Sequence, residues 1–311
     1  MVRWLSEAKS IILPQEKVSV NYTYSQPQDL SEVQEIVSDS LKAFGKWGCK
    51  NLNVWICNDH NEWRDVHSRL IKTVPQEEFE ALEEPLGKMS LARMVYATKE
   101  VQDTLGIREE KVLVPNLVIN SNEFSKADKK IRKSLIKHEF SHKFSMDYGY
   151  FLPILKSYQN IQLVYMPLLE NNYVLFKTLQ ETCDEISTNE VCIDFGFKDD
   201  VFRASKYILN DFKSYENEKE KAKPLKWFLP IMEFSSLPLP FEHKNENSYA
   251  SRMREAVDSY LKKVKVLDAV ALRVDFENIL DKVRNPPNVS DLETVYDGVK
   301  QKFEEVRLGS V

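Results

Sequence analysis

The first part of the chain carries two kinds of regular hydrophobic pattern. Apolar and polar residues alternate over residues 17–25, which predicts a β-strand, and the run NLNVWIC over residues 51–57 predicts a second strand. Between them, residues 29–47 place apolar side chains at helical spacing. This β-α-β opening predicts a small sheet packed against helices.

A further β-rich segment, residues 112–120, contains Pro115. Proline lacks the N–H that a sheet ladder needs, so it is confined to edge strands and strand ends. We therefore predict an edge strand or two short strands here. An exposed edge could pair with an extended peptide, although an ordinary edge strand explains the pattern equally well.

Residues 126–146 contain no glycine or proline and predict a long helix whose start is signalled by Ser125 and Asp128. Apolar side chains recur every four residues along it and form one buried stripe. They are Ile136, Phe140 and Phe144. The polar side chains on another face of the same helix carry the candidate chemistry.

On that other face lies an HExxH motif, formed by His138, Glu139 and His142. The spacing puts two imidazoles one helical turn apart, and neutral imidazoles are good zinc ligands. Glu139 is then placed to act as a general base on a metal-activated water. The alternative is a pair of surface histidines on an amphipathic helix, which leaves Glu139 and the spacing unexplained.

A catalytic zinc needs a third protein ligand, and the segment over residues 179–192 offers carboxylates on a second predicted helix. Glu181, Glu185 and Asn189 share one face of that helix, since they are spaced four residues apart. Glu185 is the predicted third ligand. Glu181 and Asp184 are alternatives that the pattern leaves open.

HExxH followed by a downstream glutamate helix resembles the gluzincin zinc metallopeptidases. The resemblance implies one Zn²⁺ per chain held by His138, His142 and Glu185. It also implies that Asn189, which stands where the family has aspartate, orients a ligating imidazole. The family's fold implies an α+β, helix-rich chain, with a small mixed sheet whose edge strand lies beside the HExxH helix.

Such peptidases usually stabilise the oxyanion with a second electrophile. By its place in the chain, His243 resembles the downstream histidine of thermolysin-like members and is predicted to take this catalytic role. An exposed loop histidine is the alternative reading of His243. No histidine lies between His142 and His243, which argues against the metzincin branch.

Composition narrows the class of protein. The 311 residues are 42% hydrophobic and 29% charged, as in globular domains, and the 8 glycines suit a helix-rich fold. The net charge of −5 does not favour nucleic-acid binding. No apolar run approaches a membrane span, and no signal peptide is recognisable, so we expect a cytoplasmic protein. The four cysteines form no C-x-x-C, and we expect Cys183 and Cys192 to be buried thiols.

The pattern changes after residue 197, and prolines at 224, 230, 238 and 240 interrupt the chain. Residues 201–223, 247–283 and 290–307 predict further helices. We predict a metallopeptidase-like domain over residues 1–200 and a helical C-terminal region over residues 201–311. The alternative is that both regions pack together as one unit.

The predicted function is zinc-dependent hydrolysis of a peptide or protein substrate. The alternative is a latent or non-catalytic, zinc-stabilised helical protein that binds a partner. The sequence indicates no oligomeric state and no substrate specificity.

Overall fold

A computed structural model of the chain describes residues 4–26, 29–70, 91–106, 109–165, 173–211, 224–264 and 268–307. They fall into two compact units, one ending at Asp147 and the other beginning at Tyr148. This division differs from the boundary near residue 200 that the sequence predicted. The reason is that helices from residue 151 onward bury their apolar faces in one common core.

The first unit contains a mixed five-stranded sheet with strand order β1-β2-β3-β5-β4. Its strands are β1 (Leu5–Ile12), β2 (Lys17–Tyr24), β3 (Asn51–Cys57), β4 (Ala92–Val95) and β5 (Asn116–Asn120). The strands β2, β3 and β5 run parallel, while β1 and β4 pair antiparallel at the two edges. Alternation along β2 buries Val18, Val20 and Tyr22, as the pattern predicted.

The prediction of an edge strand within residues 112–120 is wrong. Strand β5 lies inside the sheet, between β3 and β4, and each of its residues is buried. Pro115 comes just before its first residue, where its carbonyl accepts a hydrogen bond from Asn53 at 3.0 Å. A proline at that point removes no donor from the ladder. The edge strand on this side of the sheet is β4.

Within the described residues, the helices of the first unit are α1 (Ser31–Phe44), α2 (His60–Leu70), α3 (Lys99–Leu105), α4 (Ser121–Phe124) and α5 (Lys129–Asp147). Helix α5 packs on α1 through aromatic rings, with Phe44 stacked on Phe144 at 4.9 Å between centroids. Basic residues at the start of α5 pair with acids of α1, and Arg132 meets Glu32 at 2.8 Å. The HExxH helix is therefore fixed by an apolar contact and an ionic one.

The second unit is helical in the part that the structure describes. Its helices are α6 (Phe151–Tyr165), α7 (Tyr173–Asp194), α8 (Lys198–Asp211), α9 (Pro224–Ser236), α10 (Leu239–His243), α11 (Asn247–Val264), α12 (Ala269–Leu280) and α13 (Val289–Arg307). They share one hydrophobic core, in which Phe228 and Phe276 are fully buried. The fold as a whole is α+β and rich in helix, as the sequence predicted.

One detail of the C-terminal helices differs from the sequence prediction. Pro230 does not interrupt the chain but lies inside α9, whose neighbouring residues Phe228 and Met232 are buried in the core. Packing outweighs the one lost backbone hydrogen bond. Residues 212–223, predicted as the end of a helix, lie outside the described residues. No helix in the described ranges has the length and apolarity needed to cross a membrane.

Candidate metal centre

Helix α5 positions the HExxH motif, and both of its ends have local causes. Asp128 caps its start, because its carboxylate accepts the backbone N–H of Ile131 at 2.9 Å. Beyond its last residue, Gly149 takes a positive φ of 73°, a conformation that commonly follows a helix end. The stripe formed by Ile136, Phe140 and Phe144 is buried, as predicted. Burial of that stripe fixes the rotation of the helix and hence the direction of its histidines.

His138 and His142 form a close pair on α5. Their Nε2 atoms lie 3.2 Å apart, and their rings stand nearly perpendicular, at 86°. Two imidazole nitrogens that bind one tetrahedral zinc at the usual bond lengths stand about 3.3 Å apart. The pair therefore has the spacing of two ligands to a single ion.

Glu139 contacts the edge of the sheet. Its Oε2 accepts a hydrogen bond from the backbone N–H of Met94, on β4, at 2.6 Å. This is at the short end for an N–H donor and is typical of a charged acceptor. The glutamate of the motif is thus held by a backbone group that the sequence pattern did not reveal.

Helix α7 carries the predicted third ligand. It runs without glycine or proline and ends in two hydrogen bonds of the Schellman type, from Gly196 N–H to Ile193 O and from Phe197 N–H to Cys192 O. Glu185 is half-buried on this helix. Asn189, one turn later, is buried on nearly the same face. Its predicted role in orienting an imidazole stays a prediction.

His138, His142 and Glu185 each offer one ligand atom, and these atoms lie within 4.8 Å of one another. Among the described residues, no other group of three or more histidines, cysteines or acids meets this criterion for holding a metal ion. Glu181 and Asp184, the alternatives for the third ligand, are outside the group. The set of two imidazoles and one carboxylate matches what zinc accepts.

The two cysteines on helix α7 are not members of the ligand group. Cys183 and Cys192 are fully buried in the hydrophobic core of the second unit. Burial raises the pKa of the Cys183 thiol, and the negative charge of Asp184 adds to the rise. Both side chains therefore behave as buried thiols, as the sequence analysis expected.

A partly buried acid that the sequence pattern did not indicate stands near Glu185. Burial raises the pKa of Glu233, on α9, to about 8, and the charges of Glu181 and Glu185 raise it further. Its sequence neighbours are apolar, and no spacing rule links it to α7. Only the packing of α9 against α7 brings these carboxylates together.

His243 is not part of the group. Its Nδ1 lies 2.5 Å from Glu190 Oε1, and its Nε2 lies 3.1 Å from Asp281 Oδ1. Glu190 comes five residues after Glu185, which turns it by roughly 140° around α7. Both ring nitrogens are engaged with carboxylates on another side of that helix, and the side chain is 3% exposed. This placement argues against the oxyanion role predicted for His243, and the alternative of an exposed loop residue is wrong.

His67, the other histidine whose side chain the structure describes, is not a member of this group. His67 is buried on α2, and burial lowers its pKa to about 4, with the positive charge of Arg93 contributing. Its Nδ1 lies 2.9 Å from the carbonyl oxygen of Trp63.

Comparisons of the chain with family models, with curated proteins and with solved structures found no match.

Proposed function

We propose that the protein binds one Zn²⁺ through His138, His142 and Glu185 and hydrolyses peptide bonds. The grouping of three ligand atoms within 4.8 Å is the observation that carries the proposal. The donor set supports it, because two imidazoles and a carboxylate also leave a fourth position in the usual tetrahedral geometry. All three side chains are half-buried, so they are neither sealed in a core nor loose on a surface.

Charge supports the same conclusion. Glu185 contributes one carboxylate beside Glu181, and the negative charges of these two side chains, together with burial, oppose ionisation of the neighbouring Glu233. A divalent cation would relieve that repulsion, whereas without one the carboxylates oppose each other. The two imidazoles then supply the nitrogen ligands that favour zinc over magnesium or calcium.

When bound, zinc would polarise the scissile carbonyl and acidify the attacking water. Glu139 would take the proton from that water and pass it to the departing amine. His138 and His142 would hold the ion as imidazole ligands and would have no part in the proton transfer. In this scheme, the glutamate of the motif is needed for hydrolysis but not for metal binding.

The rival function is a zinc-stabilised or latent protein that binds a partner. A structural zinc site is closed by a fourth protein ligand, and cysteine is the usual one. Cys183 and Cys192 lie in the core of the second unit and outside the ligand group. This speaks against a closed, cysteine-ligated site and in favour of chemistry.

The test of the proposed function compares the wild-type chain with Glu139→Gln, using a mixture of fluorogenic peptides and zinc analysis of both samples. Hydrolysis by the wild type, with loss of about a thousandfold or more in the variant at unchanged zinc content, would support the mechanism. Equal hydrolysis by both proteins would refute it. Zinc uptake with no hydrolysis by the wild type would favour the rival.

A further inference from the structure

Strand β4 presents two of its backbone N–H groups away from the sheet. Asn120 N–H donates to Leu91 O at 3.1 Å, which fixes which residues of this strand face β5. Along an antiparallel pair, the backbone N–H groups of successive residues point alternately toward the partner strand and away from it. The N–H groups of Arg93 and Val95 therefore face β5, while the N–H of Met94 points outward. The Met94 N–H is therefore available to a group beside the edge.

The group beside the edge is the carboxylate of Glu139. Met94 N–H donates to Glu139 Oε2 at 2.6 Å, so one oxygen of the motif's glutamate is tied to the backbone of the edge strand. A backbone donor in a sheet cannot change rotamer, unlike a side-chain donor. Fixing one carboxylate oxygen on it restricts the torsions of the glutamate.

A second contact holds the same stretch of chain against α5. Tyr96, which directly follows β4, donates its hydroxyl proton to Asp147 Oδ1 at 2.8 Å. Glu139 and Asp147 are eight residues apart on α5, or just over two turns. The edge strand is therefore tied to the HExxH helix at two points, and the Met94 N–H is held at a defined height along it.

We infer that the backbone N–H of Met94 is a positioning group that orients Glu139 for its work as general base. This inference rests on the proposed function. The contact belongs to the main chain, so the side chain of Met94 is not required, and proline is the one natural residue that removes it. Position 94 tolerates proline better than a central strand would, because the lost N–H makes no ladder bond.

The first arm of the test needs no metal. Labelling with ¹⁵N-methionine gives at most 7 backbone amide signals, and the Met94→Leu variant assigns the relevant one. We expect this amide to be shifted downfield and protected from hydrogen exchange. In Glu139→Gln its exchange should be faster by roughly ten- to a hundredfold, as expected when a charge-assisted bond is weakened. An amide indifferent to Glu139→Gln would overturn the inference, whether or not zinc binds.

The second arm uses zinc-loaded protein and acetohydroxamate, a small zinc chelator that gives up a proton to a neighbouring base. We expect Met94→Pro to keep its zinc and to bind acetohydroxamate at least tenfold more weakly. Met94→Ala, which retains the N–H, should lose no more than a few-fold, and Arg93→Ala serves as the unaffected control. Equal binding by Met94→Pro and the wild type would overturn the inference.

The two proposals fail in different ways. A wild-type chain that takes up no zinc refutes the proposed function and the catalytic purpose of the contact, even if the Met94 amide responds to Glu139→Gln. A chain that binds zinc and hydrolyses peptides, but whose Met94→Pro variant does so equally well, refutes only the positioning role.

Discussion

His243 and Glu190 form a buried hydrogen-bonded pair, with Nδ1 and Oε1 only 2.5 Å apart. Burial raises the pKa of Glu190 to about 8, although Lys244 and Arg284 pull it down and Asp194 pushes it up. A backbone N–H from Asn285 also bonds to this carboxyl. The pair can therefore hold a proton into the neutral range, which gives a pH-dependent stability.

The sign of that dependence follows from the pH at which Glu190 loses its proton in the folded and in the unfolded state. The unfolded glutamate loses its proton near pH 4.5, whereas the folded one keeps it to about pH 8. Unfolding therefore releases a proton between these values, and the free energy of unfolding falls as pH rises through them. The contribution is at most about 1.4 kcal/mol per pH unit. When urea unfolding is measured between pH 5 and 8, the free energy of unfolding should fall less steeply with pH in Glu190→Gln than in the wild type.

The matched control is Glu255→Gln, because Glu255 is exposed. It should reproduce the wild-type slope. A Glu190→Gln variant with the same slope as the wild type would mean that Glu190 titrates normally.

Lys143 is a buried cation on the HExxH helix, and its side chain has no exposed area. Its ammonium donates to the carbonyl oxygen of Trp47 and pairs with Asp147. Lys143→Met should lower the free energy of unfolding by about 2 kcal/mol, because a buried carbonyl loses its donor and a partly exposed carboxylate loses its counter-charge.

Lys129→Met provides the comparison on the same helix. Lys129 pairs with Glu35, but both side chains are close to half exposed. Its loss should cost no more than about 0.5 kcal/mol. If urea unfolding gives equal costs for the two variants, the buried ammonium does not stabilise the loop around Trp47.

Gly45 and Gly48 both adopt positive φ, at 71° and 75°. Alanine at either position should cost about 1 kcal/mol from backbone strain. A Cβ on Gly45 would meet nothing within 4 Å, whereas a Cβ on Gly48 would stand 3.3 Å from Lys143 Nζ. We expect Gly48→Ala to be the more destabilising by roughly 1 kcal/mol, since it crowds a buried hydrogen-bonded group. Equal melting temperatures for the two variants would contradict this.

Hydrophobic periodicity predicted many of the helices and strands, because the spacing of apolar residues within such an element decides which of its faces is buried. Strand β3 occupies the predicted residues 51–57, and the apolar stripe of α5 is buried as expected. The HExxH spacing likewise brings His138 and His142 together through the geometry of a single helix. These features depend on neighbours in sequence, which a pattern can reveal.

Features that depend on distant residues were not predictable in the same way. The placement of β5 inside the sheet depends on β4, a strand of four residues that carries no clear alternation. The contact of Glu139 is to a backbone N–H, which no side-chain pattern encodes. The role predicted for His243 rested only on its position along the chain, whereas tertiary packing brings its side chain into contact with Glu190.

Metal content tests the central claim most directly. Purified wild-type protein, His138→Ala, Glu185→Ala and Glu181→Gln would be equilibrated with zinc, freed of excess and analysed for metal. We predict about one zinc per chain in the wild type and in Glu181→Gln, with the metal lost from both ligand variants. No zinc in the wild type, or zinc retained equally by His138→Ala and Glu185→Ala, would contradict the account.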